Sequence, residues 1–195
     1  GGLEDLRVWE PHVNHFASHW RAIAYSRRYN YPNPVGFKNP EHSAVTEAED
    51  MAELISSLGL GKVHAVGASY GAYTALMLGL HHPHLVRSLT LWEAPVMEWL
   101  RDMPHGREVY EDFYRRWWSP AAEAFREGDG DRALQITIDW WGSHGASLGE
   151  VPLTWANIPE EFRQMLRDNS NDLRAMVFSR NAFPGPSRDE VKRLQ

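Results

Sequence analysis

Five residues, Gly67-Ala68-Ser69-Tyr70-Gly71, carry the strongest chemical signal in the sequence. They fit the pattern G-x-S-x-G, in which a serine occupies a very sharp turn between a strand and a helix. Such a turn strains the serine backbone, and side chains two residues to either side would collide, so glycine is expected at both places. The turn lifts the Ser69 hydroxyl at the carboxyl end of a sheet. The N-terminus of the following helix lies beneath it and favours developing negative charge. A serine so placed is a candidate nucleophile. The pentapeptide alone also suits an ordinary surface turn, and its context decides between the two. Val63-His64-Ala65-Val66 before it suits a buried strand, and Ala72 to Leu80 after it suits a helix.

A lone serine is a weak nucleophile and needs a histidine base, itself oriented by a carboxylate. Glu93 is one candidate acid, or else a glutamate that anchors a lid or lines a pocket. His105 and His144 follow it in a stretch with no strand to present them, so the base is left unassigned. His12, His15 and His19 recur at i, i+3 and i+7 and would share one helix face. No carboxylate stands among them, and they read as solvated rather than metal-binding. His81, His82 and His84 suit a helix C-terminus, where the dipole favours them. Arg27 and Arg28 would either bind an anionic substrate or pair with nearby acids. Glu47-Ala48-Glu49-Asp50 reads as an acidic first helical turn.

The elements that must position Ser69 follow from periodicity. A helix is expected over residues 6–18, a short buried strand over 20–25, and a Pro- and Asn-rich loop over 30–40. A helix over 44–58 is ended by Gly59 and Gly61. Then come a strand at 62–68, a helix at 70–82 stopped by Pro83, and a strand at 88–92 closed by Pro95. Small Gly71, Ala72, Ala75 and Gly79 would let the helix at 70–82 pack closely on the sheet. Strand, helix, strand, helix, strand means a parallel sheet with right-handed crossovers. From 97 to 180 only helices and loops are expected, and this stretch holds six of the nine Trp. It reads as a helical insertion whose Trp residues mostly form its own core, with one or two facing a site.

Composition narrows the class. At 195 residues, 43% hydrophobic and 24% charged, the chain suits one globular domain. A net charge of −6 gives no basic patch for nucleic acid. Without Cys there are no disulfides or thiolate metal sites, which fits a cytoplasmic protein. No signal peptide and no bilayer-spanning apolar run is found. The chain opens on Gly1-Gly2 with no initiator Met, as if cut from something longer.

Several segments resemble the α/β-hydrolase fold superfamily. Gly-Gly-Leu-Glu-Asp-Leu-Arg-Val-Trp at 1–9 resembles the segment after that family's third strand, usually His-Gly-x with a Trp some residues on. Tyr25-Ser26-Arg27-Arg28-Tyr29 resembles the turn after its fourth strand. The pentapeptide at 67–71 matches its nucleophile elbow. Leu89-Thr90-Leu91-Trp92-Glu93-Ala94-Pro95 resembles the end of its sixth strand, and the Trp-rich helices look like its cap. The resemblance implies an α/β fold with a mostly parallel sheet and helices on both faces. The core would fill 1–95, a helical cap 96–185, and the return to an incomplete core 186–195.

The same resemblance implies site roles. Ser69 would be the nucleophile, and the backbone N–H groups of Tyr70 and Gly2 the oxyanion hole, with Leu3 replacing Gly2 if the register slips by one. Each donor would contribute about 3 kcal/mol. The family places the acid after its seventh strand and the histidine after its eighth, whereas Lys192-Arg193-Leu194-Gln195 falls about where a seventh strand would begin. The expectation is a piece short of two early strands and of roughly 60–80 later residues. Such a piece would be inactive alone and prone to aggregate or pair through open strand edges.

In this fold, dehalogenases and epoxide hydrolases carry Asp at the elbow and dienelactone hydrolases Cys. Ser69 is similar to the nucleophile of esterases, lipases, thioesterases, serine peptidases, C–C bond hydrolases and perhydrolases. The expected function is hydrolysis of an ester, thioester or related bond in a small molecule through an acyl-Ser69 intermediate. No cofactor, metal, nucleic-acid or membrane partner is expected, and the oligomeric state is not specified by the sequence. The alternative is a non-catalytic small-molecule receptor on the same fold.

Overall fold

The computed structural model describes residues 1–33, 36–37 and 41–194. Of the loop expected at 30–40, residues 34, 35 and 38–40 lie outside the described residues. After a 3₁₀ turn at Leu6–Trp9, the elements are α1 (Glu10–Phe16), α2 (Ala44–Ser57), β1 (Val63–Ala68), α3 (Tyr70–His81), β2 (Val86–Trp92) and α4 (Met97–Leu100). Then come α5 (Gly106–Asp112), a π-helical segment (Phe113–Trp118), α6 (Ser119–Arg126) and α7 (Gly130–Ser143). The short strands β3 (Ser147–Leu148) and β4 (Val151–Pro152) precede α8 (Glu160–Asp168), α9 (Ser170–Phe178) and α10 (Arg188–Lys192). None of the helices is long and apolar enough to cross a membrane, among the described residues. The chain divides into two compact bodies.

The first body comprises Gly1–Gly2, Lys38–Gly106 and Ser179–Gln195. Its sheet pairs β1 and β2 in parallel, with His64 opposite Ser88 and Ala68 opposite Trp92. Parallel neighbours need a crossover, and α3 provides it, packing on both strands. Its residues Ala72, Tyr73, Ala75, Leu76, Met77 and Leu78 are all buried, so α3 is the core helix of this body. A Cβ on Gly79 would lie 2.7 Å from Leu89 Cδ1, a side-chain end that can shift. On β1, Ala65 and Gly67 are buried while His64 and Val66 on the opposite face are exposed. Outside α3 lies α2, which buries Ala44, Ala48, Ala52 and Ile55 at helical spacing.

Ser43 caps α2 by accepting from the Thr46 N–H at 3.3 Å. Gly59 and Gly61 follow the helix with φ of 60° and 65°, conformations that favour glycine. Glu47 stands in the acidic first turn of α2, as expected. It is fully buried, with Oε1 3.3 Å from Nε2 of the equally buried His42. Its position three residues after Ala44 places it on the inner face of the helix. His82 Nε2 reaches Glu49 Oε2 at 3.0 Å and ties the end of α3 to α2.

The second body comprises Leu3–Phe37 and Arg107–Phe178. Aromatic packing dominates it: Trp117 stacks on Trp140 at 4.7 Å and Phe113 on Trp118 at 5.3 Å between centroids. Widening the helix to a π segment puts Phe113, Trp117 and Trp118 together on the buried side. Trp117 Nε1 donates to Thr137 Oγ1 at 2.9 Å, which satisfies the buried indole. The strand expected at 20–25 does not form. Trp20 and Ile23 are exposed, and no described strand pairs with this segment to satisfy its backbone. The helix expected at 6–18 divides into the 3₁₀ turn and α1, so His19 falls beyond the helix and bonds Ser18 instead.

Candidate active site

The turn at Ser69 is built from both sides. Ser69 has φ 49° and ψ −125°, a region that non-glycine residues rarely occupy and that costs of order 1–3 kcal/mol. Its N–H donates to Trp92 O at 2.8 Å, and its carbonyl accepts from the Tyr73 N–H at 3.0 Å. The end of β2 and the first turn of α3 thus hold both backbone groups. The side chain is exposed and does not cap α3. Among the described residues, no histidine or carboxylate hydrogen-bonds the Ser69 hydroxyl.

The two flanking glycines differ. A Cβ on Gly67 would lie 2.4 Å from Gly71 O and 2.6 Å from Ala72 N, backbone atoms that cannot step aside. A Cβ on Gly71 would meet only Gly1 N, at 3.7 Å, an ordinary contact. The expected steric need for glycine on both sides is therefore met at position 67 alone. Gly71 instead faces the Gly1–Gly2 segment, which belongs to the same body.

The first turn of α3 is anchored from below. Tyr70 is buried, its hydroxyl donates to Ala182 O at 2.9 Å, and its ring meets Phe183 edge-on at 5.5 Å. The Tyr73 hydroxyl donates to Pro184 O. Burial, with the nearby Glu98 carboxylate adding to it, pushes the Tyr73 phenol well above its ordinary value and keeps it a neutral donor.

Leu3 is fully buried at φ 60°, and its N–H donates to Asp172 Oδ2 at 2.8 Å. Asp172 also receives both arms of Arg27, Nη1 to Oδ1 at 3.0 Å and Nη2 to Oδ2 at 2.8 Å. Arg27 therefore has the structural pairing that its sequence position left open. Nearby, Asp5 accepts from Asn169 Nδ2 at 2.7 Å and from Arg7 Nη2 at 2.6 Å. Burial raises the Asp5 carboxyl, but the bonds from Arg7 and Asn169 outweigh it and hold the group below its ordinary value.

The structure gathers Ser69, Tyr70 and Gly2 in one body. Glu93 follows β2 directly, exposed and with φ 54°. His105 is exposed with φ 58°. His144 lies in the second body, stacked on Trp140 at 4.1 Å with Nε2 3.5 Å from Asp112 Oδ2. His12 and His15 are exposed on α1. Sequence reasoning missed Asp172. The available signal was helical spacing: Asp172 stands four residues before Met176, on the inner face of α9.

Comparison with known proteins adds a second line. Residues 1–167 match the family model described as alpha/beta hydrolase fold. A proposed carbamate hydrolase, RutD, of Caulobacter vibrioides is 29% identical over 103 residues, covering 53% of this chain and 36% of the relative. The 3-oxoadipate enol-lactonase 1 of Acinetobacter baylyi is 23% identical over 146 residues, 69% of this chain and 53% of the relative. The chain thus spans about a third to a half of the length of these curated relatives. A solved epoxide hydrolase from metagenomes of hot environments superposes with a TM-score of 0.67 at 24% identity, covering 95% of this chain and 62% of the other. Est816, an N-acyl homoserine lactone degrading enzyme, gives a TM-score of 0.60 at 17% identity, with 99% and 68% covered. At these identities the two structures bear on the fold alone.

Proposed function

The chain belongs to the α/β-hydrolase fold family, and on that premise we propose that it carries the nucleophile of a serine hydrolase acting on ester, thioester or related acyl bonds. Ser69 Oγ attacks the carbonyl carbon as its proton passes to a general base, a role assigned to none of the described residues, and the tetrahedral oxyanion accepts hydrogen bonds from the backbone N–H groups of Tyr70 and Gly2. Collapse expels the alcohol or thiol, which takes back that proton from the base, and leaves an acyl-Ser69, which water then hydrolyses. Gly2 is preferred to Leu3 as the second donor, because the Leu3 N–H is already bonded to Asp172. The observation that carries this reading is the strained turn at Ser69 between β1 and α3, with the side chain exposed. Strain of this kind persists where a site needs it.

The relatives support an acyl substrate. The carbamate and enol-lactone named for two of them both contain a carbonyl open to attack. The epoxide hydrolase shares the fold, but Ser69 stands where the family resemblance places aspartate in such enzymes. The test is covalent labelling by a fluorophosphonate probe. The complete protein should label and its Ser69→Ala variant should not. Absent labelling, or equal labelling of the two, would sink the proposal. A receptor without turnover on the same fold is the second reading. Saturable ligand binding with no labelling would select it.

A further inference from the structure

We propose that Tyr70 and Tyr73 are positioning residues, whose phenols clamp the first turn of α3 onto the segment 182–184 and so aim the Tyr70 N–H. This rests on the reading of Ser69 as nucleophile and of the Tyr70 N–H as oxyanion donor. The Tyr70 N–H belongs to the same planar peptide as the Ser69 carbonyl, and in a trans peptide the two point in opposite directions. The Ser69 carbonyl accepts from the Tyr73 N–H at 3.0 Å. Whatever holds Tyr73 against Ser69 therefore holds the direction of the Tyr70 N–H. Ser69 sits at φ 49° and ψ −125°, and relaxing that strain would rotate this plane about Ser69. Helices fray most readily at their ends, so the plane needs support from outside α3.

Two bonds to one segment supply that support, and every residue involved lies in the first body. The Tyr70 hydroxyl donates to Ala182 O at 2.9 Å, and the Tyr73 hydroxyl donates to Pro184 O. Phe183 stands between those carbonyls, and its ring lies against both tyrosines, with centroids 5.5 Å from Tyr70 and 6.1 Å from Tyr73. Both tyrosines are buried, so losing either hydroxyl takes a donor from a carbonyl that it now satisfies. The segment is held in turn by α4. Trp99 Nε1 donates to Pro186 O at 2.7 Å, and a Cβ on Gly185 would lie only 2.8 Å from Glu98 Cβ. Phenylalanine at 70 and 73 would fill the same core space. Only the hydroxyls reach the two carbonyls and tie the turn to a fixed support.

The test uses fluorophosphonate labelling of the complete protein, resolved into the saturation constant of the probe and its maximal rate. Tyr70→Phe and Tyr73→Phe each keep the ring and remove one bond, and the double variant removes both. Thr137→Val in the second body is the control for lost stability. It removes a buried hydroxyl that accepts from Trp117 Nε1 and donates to Ala133 O. Thermal melting and circular dichroism check that the variants keep the fold. The expected result is a maximal rate lower by about 3- to 10-fold in each single variant and by about 10- to 100-fold in the double variant. The saturation constant should be unchanged throughout. Thr137→Val should melt lower and label at the wild-type rate. A folded double variant with a wild-type maximal rate would overturn the clamp and leave the Ser69 reading intact. So would a change confined to the saturation constant, or a Thr137→Val variant slowed as much as the double variant. A complete protein that does not label overturns both.

Discussion

Replacing Gly67 by Ala tests the geometry of the elbow directly. The added methyl would lie 2.4 Å from Gly71 O, 2.5 Å from Gly71 C and 2.6 Å from Ala72 N. Carbon contacts settle near 3.5–4.0 Å, so the first turn of α3 must retreat by about 1 Å. All three atoms are backbone, and no rotamer change relieves the clash. The same movement displaces the Tyr70 N–H and the Ser69 backbone, whose carbonyl bonds Tyr73. Overpacking of this kind destabilises by about 1–3 kcal/mol, or several degrees in melting temperature at this chain length. A shift of that size at a reacting centre slows chemistry by about 100-fold. Gly71→Ala is the matched control, because its methyl would meet only Gly1 N at 3.7 Å. In the complete protein we expect Gly67→Ala to melt lower and label far more slowly with a fluorophosphonate, and Gly71→Ala to stay within threefold of wild type. If Gly67→Ala melts and labels like wild type, the steric account of the elbow is wrong.

Two further outcomes follow from the packing and the buried network. Gly142→Ala would drive a methyl to 1.7 Å from Leu153 O, a backbone atom, and should cost about 3 kcal/mol or more; Gly79→Ala meets the side chains of Leu89 and Leu194 rather than backbone and should stay within about 1 kcal/mol by urea denaturation. The Asp5 carboxyl is held below its ordinary value in the folded chain, so the unfolded state binds the proton first as pH falls. Its contribution is present above the ordinary aspartate range near pH 4 and is lost as pH falls through the folded value. Urea midpoints should therefore drop on acidification, and Asp5→Asn should flatten that dependence; an unchanged slope would refute it.

Local signals carried the segment around Ser69. Glycine spacing, an apolar strand and a helix rich in small residues placed β1, α3 and β2 within a residue or two, and the family resemblance matches the fold. Gly59 and Gly61 marked the end of α2 for a reason internal to the chain, since positive φ favours glycine wherever it occurs. The strand at 20–25 failed because strand propensity is satisfied only by a neighbour, and residue types do not reveal whether one is present. The burial of Glu47 and Asp172 was not legible for a different reason. Charged residues are expected in water, and only packing decides that a His42 or an Arg27 will meet them inside. Sequence determined where a sharp turn, a helix end and a close approach must fall, because those depend on backbone sterics within a few residues. Tertiary structure alone decided which N–H groups were already occupied and which carboxylates were buried. Those outcomes depend on how the chain packs, with partners as near as His42 is to Glu47 and as distant as Asp172 is from Leu3.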